Sequence, residues 1–256
     1  LVGSEMCIRD RYYDSVIRRC VTHFPNSKLV FAYPFVDNPE VQYVKNKIEY
    51  DASEYKKYTQ RNVGQIFYSY TGNQFFHFGL DSQRLGNKIA VDFDPLERTL
   101  KNGGSALIYC SKKSIYDKTI FSKFFKYTNL CTELEDDDAT VLIDRFRVLI
   151  GASASNYGDY SSKMVNMLKH GIVVHHGSLP LAARYILEEF TKKGFCRICF
   201  ATSTLEQGIN MPFDMVWIEK FEPSKPLNVK NIIGRAGRST KFPVFDYGQI
   251  VIKDSS

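Results

Sequence analysis

At 256 residues and 44% hydrophobic, the chain is long enough for one large α/β domain or two small ones, and too apolar for a disordered segment. No apolar run approaches the about 20 residues that span a bilayer, and no basic-then-apolar leader is visible, so a cytoplasmic setting without a membrane partner is expected. The net charge of +6, from 34 basic and 28 acidic residues, permits contact with nucleic acid without demanding it.

Residues 1–11 show no periodicity that continues into the rest of the chain. They resemble a translated sequencing-adapter read-through and are expected to lie outside the fold and pack against nothing. Residues 13–24 carry a short amphipathic pattern. Residues 28–34 read as a strand ended by Pro34, residues 39–48 as a weak helix, and the polar stretch 49–62 as a linker. Two aromatic runs, 63–70 and 75–79, flank Thr71, Gly72, Asn73 and Gln74, a hairpin signal. Asp94, Pro95 and Glu97 mark a helix start: an acceptor at the N-cap, proline in the first turn, an acid at N3.

From there strand and helix alternate. Strands are expected at 106–110, 172–175, 196–201, 215–219 and 247–253. Helices are expected at 114–126, 138–149, 161–169, 180–193 and 228–236. Ala183, Ile186, Leu187 and Phe190 form the apolar stripe of the fourth helix, and Gly194 stops it. Such alternation predicts an α/β fold: a mostly parallel sheet with helices on both faces. The six cysteines (Cys7, Cys20, Cys110, Cys131, Cys196, Cys199) have no framework spacing. Cys196 and Cys199 form a CxxC, but in a buried strand i and i+3 face opposite sides, so core packing is expected over zinc or redox chemistry.

In parallel sheets ligands gather at the carboxyl ends of strands. Three segments fall there: 110–114, 175–180 and 201–212. All are rich in small hydroxyls, glycine and polar donors, which suit phosphate oxygens. His175 and His176 have no third ligand nearby in sequence, so no metal site is expected. The segment 231–238 reads Asn-Ile-Ile-Gly-Arg-Ala-Gly-Arg. On a helix over 228–236, Asn231, Arg235 and Arg238 fall at i, i+4 and i+7 on one face, with Ile232, Ile233 and Ala236 turned to a core. Gly234 and Gly237 leave the surface bare. Two planar, permanently charged forks across a bare surface suit a triphosphate.

In this order and spacing, the four segments resemble the second RecA-like lobe of superfamily 2 helicases, and most closely the Ski2-like branch of DExH-box enzymes. The resemblance covers residues 61–256. Residues 105–114 look like motif IV, 175–180 like motif IVa, 201–212 like motif V, and 231–238 like motif VI, usually Q-x-x-G-R-x-G-R. It implies that Arg235 and Arg238 are arginine fingers for the γ-phosphate of ATP, whose Mg²⁺ the first lobe holds. It implies that Gly208 and Asn210 couple the ATP cleft to the nucleic-acid track, and that Asn231 faces the nucleotide. Thr202, Ser111 and Gly177 match contacts to a single-stranded nucleic-acid backbone. The implied function is the C-terminal lobe of an ATP-dependent helicase or translocase.

Two departures stand out. Asn231 replaces the usual glutamine and is one methylene shorter. The chain also contains no G-x-x-x-x-G-K-[ST] and no DExH sequence, so by itself it is expected not to hydrolyse ATP. Residues 28–40 resemble the end of the first lobe around motif III, with Ala32, Tyr33 and Pro34 in place of Ser-Ala-Thr. The expected organisation is therefore lobe-one tail and linker over 12–60, then lobe two over 61–256. The alternative is a non-catalytic, helicase-like module that binds nucleic acid. A nucleotide-binding metabolic enzyme would need an early G-x-G-x-x-G turn, and none is present.

Overall fold

A computed structural model of the chain describes residues 8–24, 26, 64–81, 84–152, 160–202, 211–220, 226–237 and 247–254. The strand expected at 28–34, the weak helix at 39–48 and the linker at 49–62 lie outside the described residues. The chain divides into two units, Leu1–Gln60 and Arg61–Ser256.

In the first unit, helix α1 spans Ile8–His23. It starts inside the segment expected to stand apart from the fold. Residues 8–23 contain no glycine or proline, so nothing in the backbone stops a helix from running through that boundary.

The second unit is built on one eight-stranded sheet in the order β5-β2-β1-β10-β9-β6-β8-β7. Its strands are β1 (Gly64–Thr71), β2 (Gln74–Phe78), β5 (Ile89–Val91), β6 (Ala106–Tyr109), β7 (Ile172–His175), β8 (Ile198–Ala201), β9 (Met215–Ile218) and β10 (Tyr247–Lys253). From β1 to β7 all neighbours are parallel, whereas β2 and β5 pair antiparallel at one edge. A separate two-stranded ribbon pairs β3 (Leu80–Asp81) with β4 (Arg84–Leu85). The α/β class and the mostly parallel sheet are as the sequence predicts.

Composition explains the division. β6, β7, β8 and β9 are four-residue runs buried throughout, as strands covered on both faces must be. The hairpin joining β1 to β2 turns on Gly72 (φ 56°) and Asn73 (φ 64°), two consecutive left-handed residues whose twist matches the strands. Helix α2 (Pro95–Lys101) starts where Asp94 accepts from the amides of Leu96 (3.0 Å) and Glu97 (3.1 Å). The other oxygen of Asp94 takes Lys126 Nζ (2.6 Å) and Tyr127 OH (2.8 Å).

The single helix expected at 114–126 is three: α3 (Lys112–Tyr116), α4 (Thr119–Lys123) and α5 (Phe125–Thr128). Lys118, at φ 60°, makes the first break. Ile115 and Ile120 both belong to the core. On a continuous helix, five residues apart, they would point about 140° away from each other. The break lets both face inward.

Beyond these, α6 (Asp137–Leu149) packs on α7 (Tyr160–Lys169) and α8 (Leu181–Lys192). Trp217 on β9 anchors an aromatic core with Phe124 (5.1 Å), Tyr70 (5.1 Å) and Phe75 (5.8 Å). Cys196 and Cys199 are buried core thiols. However, β8 begins only at Ile198, so strand alternation does not separate them. Burial first, and then hydrogen bonding with Cys196, raise the Cys199 pKa.

Candidate functional site

Strand register sets the carboxyl rim of the sheet. Tyr109 on β6 pairs with both Ala201 on β8 and Ile218 on β9, and Ala201 pairs with His175 on β7. Residues 110, 176, 202 and 219 therefore leave the sheet at one level. Backbone bonds tie them: Cys110 N to Ala201 O (2.9 Å), Thr202 N to His175 O (3.3 Å) and Glu219 N to Tyr109 O (2.9 Å). Ser111, Gly177 and Thr202, expected as backbone contacts to nucleic acid, are thus gathered on one edge.

Each sits differently there. Ser111 caps α3: its hydroxyl oxygen accepts from Ser114 N (3.1 Å), which leaves its own proton to donate outward. Gly177 and Ser178 are exposed. Thr202 is buried within the lobe. Beside Ser111 lies a cavity of about 370 Å³ lined by Ser111, Ser114, Thr119, Lys123, Glu219 and Lys220.

Glu219 organises that cavity. It accepts from Lys123 Nζ (2.6 Å), Lys253 Nζ (3.0 Å) and Trp217 Nε1 (3.1 Å). Burial lowers the Lys123 pKa, against the pull of Glu219, while the hydrogen bond from Lys253 to Glu219 raises the pKa of that lysine. Lys123 and Lys220 against the single carboxylate of Glu219 give the cavity lining more basic than acidic side chains. Sequence reading did not single out Glu219, because a lone acid after a strand carries no signal.

The two histidines are structural. His175 is fully buried, and burial lowers its pKa to about 4. His176 accepts from Ser178 N (3.3 Å) at Nδ1, which puts its proton on Nε2. Its pKa is also lowered, by burial first and then by Lys112. Among the described residues no group of three or more His, Cys, Asp or Glu side chains is placed to hold a metal.

The arginine segment corrects the expected geometry. Helix α9 spans Pro226–Ile233 and stops before Arg235. Asn231 is on the helix and half-buried, but Arg235 is not on its face. Instead the chain turns at Gly234. Ala236 pairs in parallel with Phe213, Phe213 N donates to Arg235 O (3.2 Å), and Gly237 N donates to Phe213 O (2.8 Å). Gly237 is left-handed (φ 71°). Glycine is a weak helix former, and this bridge supplies backbone partners that a further helical turn would forgo.

Phe213 precedes β9, so this backbone lies by the amino end of that strand. The side chain of Arg235 is 8% exposed, not spread over an open surface. Its charge acts on His175, Glu188 and Cys199. Burial raises the Glu188 pKa, and Lys192, Arg184 and Arg235 oppose the rise. Arg184 and Glu188, one turn apart on α8, flank the apolar stripe and carry no spacing signal of their own in the sequence. Arg238, Gly208 and Asn210 lie outside the described residues.

Comparison with known proteins agrees with this frame. The family model for the helicase conserved C-terminal domain matches residues 147–240. That span holds the segments read as motifs IVa, V and VI. Over that span the chain resembles the C-terminal lobe of a superfamily 2 helicase.

The chain is 26% identical over 171 residues to an ATP-dependent DNA helicase Hel308 from Caldivirga maquilingensis, covering 62% of this chain and 21% of that protein. It is 27% identical over 191 residues to mouse DNA polymerase theta, covering 62% of this chain and 8% of that protein. With the Hachiman protein HamB of Bacillus cereus it shares 27% over 172 residues, 61% of this chain and 15% of that protein. The chain spans less than a quarter of the length of each of these relatives. No described helix is long and apolar enough to cross a membrane.

Proposed function

We propose that this lobe works against a first helicase lobe, with ATP between the two and a single strand of nucleic acid along the carboxyl rim. The observation that carries the reading is the register that brings Ser111, Gly177 and Thr202 to one edge. The names of the relatives, an ATP-dependent DNA helicase and a DNA polymerase, favour DNA as the strand.

For the nucleotide, the donor set has the right chemistry. Asn231 and Arg235 offer an amide and a guanidinium and no carboxylate, so Mg²⁺ falls to the first lobe. ATP supplies the phosphoanhydride whose hydrolysis resets the grip on the strand. Arg235, with Arg238, meets charge that grows on the outer phosphate, and Asn231 donates to the nucleotide beside them. Gly208 and Asn210 join this cleft to the strand track. On the rim, the Ser111 hydroxyl and the exposed backbone at Gly177 hold phosphate oxygens, and Thr202 completes the row. Lobe closure would then shift the grip along the strand.

The test is steady-state ATPase of the enzyme with its first lobe joined. Arg235→Ala is expected to leave ATP binding largely intact and to cut turnover by about 10³–10⁵, the range typical of arginine fingers. Arg235→Lys should not rescue fully, since a point charge cannot reproduce the fork. Turnover at the parent rate would sink the reading. The second reading, a binding module without an ATPase cycle, draws on the burial of Arg235 and would then lead.

A further inference from the structure

Tyr116 ends helix α3, five residues after Ser111, and is 46% exposed. Its ring lies 5.7 Å from that of His176, tilted by 55°, and Lys112 Nζ stands 5.5 Å from its centroid. His176 is buried and its Nδ1 is held by Ser178 N, so it forms a fixed wall beside the tyrosine. His176 also precedes the exposed Gly177. An exposed aromatic ring therefore bridges the two segments that bring Ser111 and Gly177 to the rim.

We propose that Tyr116 is a base-stacking platform that takes one unpaired base of the strand whose phosphates run past Ser111 and Gly177. The inference rests on the single-strand track proposed above and adds a second kind of contact to it. A single strand presents anionic phosphates and flat π faces in alternation. A binding groove for it combines cations and hydroxyls with exposed aromatic rings. Tyr116 has that setting: Ser111, Lys112 and Lys113 before it in the chain, Lys118 after it, and the cation of Lys112 at its ring. An apolar protein partner would call for further exposed apolar side chains, and the neighbours in sequence, Lys112, Lys113, Asp117 and Lys118, are charged. Stacking does not discriminate among bases, so the platform would hold a strand without reading its sequence.

The test compares binding of oligothymidylate and of an abasic strand of equal length to the 256-residue chain, by fluorescence anisotropy at low salt. Tyr116→Ala is expected to weaken binding of oligothymidylate by roughly 5- to 100-fold, the range for losing one stacked base, and to leave the abasic strand unchanged. Tyr116→Trp should retain or strengthen binding of oligothymidylate. Ser111→Ala should weaken both strands alike, because it removes a phosphate contact. Phe125→Ala, on α5 and 62% exposed, should change neither.

If Tyr116→Ala weakens both strands equally, or leaves oligothymidylate binding at the parent value, the platform is overturned while the track stands. If the parent chain binds neither strand, the track fails and the platform with it.

Discussion

The imidazole of His175 sits fully buried at the carboxyl end of β7, where burial and the charges of Arg184, His176 and Arg235 lower its pKa to about 4. In the unfolded chain a histidine titrates near 6.5. Between those values the unfolded state takes up a proton that the folded state refuses. The resulting stability is complete above about pH 6.5 and is lost as pH falls towards 4, by up to about 3 kcal/mol. Urea midpoints should drop across that window, and NMR should show the His175 ring unchanged from pH 8 to about 5. A ring that titrates near 6.5 would contradict the buried, neutral histidine. The same scale separates the two kinds of basic residue in the lobe. Lys112 and Lys113 on α3 stay in water, whereas Arg235 is enclosed. An enclosed guanidinium must be satisfied by its surroundings, and a change in that enclosure alters what it can offer a phosphate.

Between elements, the most constrained contact joins the turn after α9 to the last strand. At Gly248 on β10, an added Cβ would meet the backbone carbon of Ala236 at 2.6 Å and its Cβ at 2.8 Å. Gln65 on β1 reaches the same region, with Nε2 donating to Ile233 O (3.3 Å). The turn carrying Arg235 is therefore pressed against the sheet by backbone, not by a yielding side chain. Gly248→Ala is expected to destabilise the lobe by about 1–3 kcal/mol, the cost of overpacking a closed contact, read as a lower urea midpoint at unchanged slope. An unaltered midpoint would mean that the turn moves freely. Asp214 secures the other side of this junction, accepting from Ser105 N (2.7 Å) and Ser105 Oγ (3.0 Å) ahead of β6. One buried carboxylate thus links the strand that leads to Ser111 with the strand that comes after Phe213.

At the scale of the whole molecule, the lobe offers one rim of hydroxyls, open backbone and lysines, and at the amino end of β9 an arginine turn. The sequence contains no phosphate-binding G-x-x-x-x-G-K-[ST]. The 256-residue chain is accordingly expected to show no ATPase above background in a coupled assay, with or without a single strand. Turnover abolished by Arg238→Ala would show that the phosphates sit elsewhere. Binding to a single strand should fall steeply with salt, with a log–log slope of about −0.7 for each phosphate neutralised. A flat salt response would argue against a phosphate track.

The sequence by itself determined the architecture. Short apolar runs such as Ile172–His175 and Met215–Ile218 leave little choice but strands covered on both faces, and Asp94 with Pro95 marks a helix start that local bonding alone enforces. Hydroxyl and glycine segments placed after those strands must meet on one rim, because parallel register admits no other arrangement. What only the tertiary structure decided depends on contacts between residues far apart in the chain. Helix 114–126 breaks at Lys118 because both Ile115 and Ile120 are drawn to one core. Helix α9 stops at Ile233 because Phe213, twenty residues earlier in sequence, offers Ala236 and Gly237 a bridge. Arg235 is enclosed, and its charge is felt by His175 on β7 and Glu188 on α8, both far from it in sequence. Periodicity records which residues prefer a helix. It does not record that a distant backbone will compete for the same hydrogen bonds.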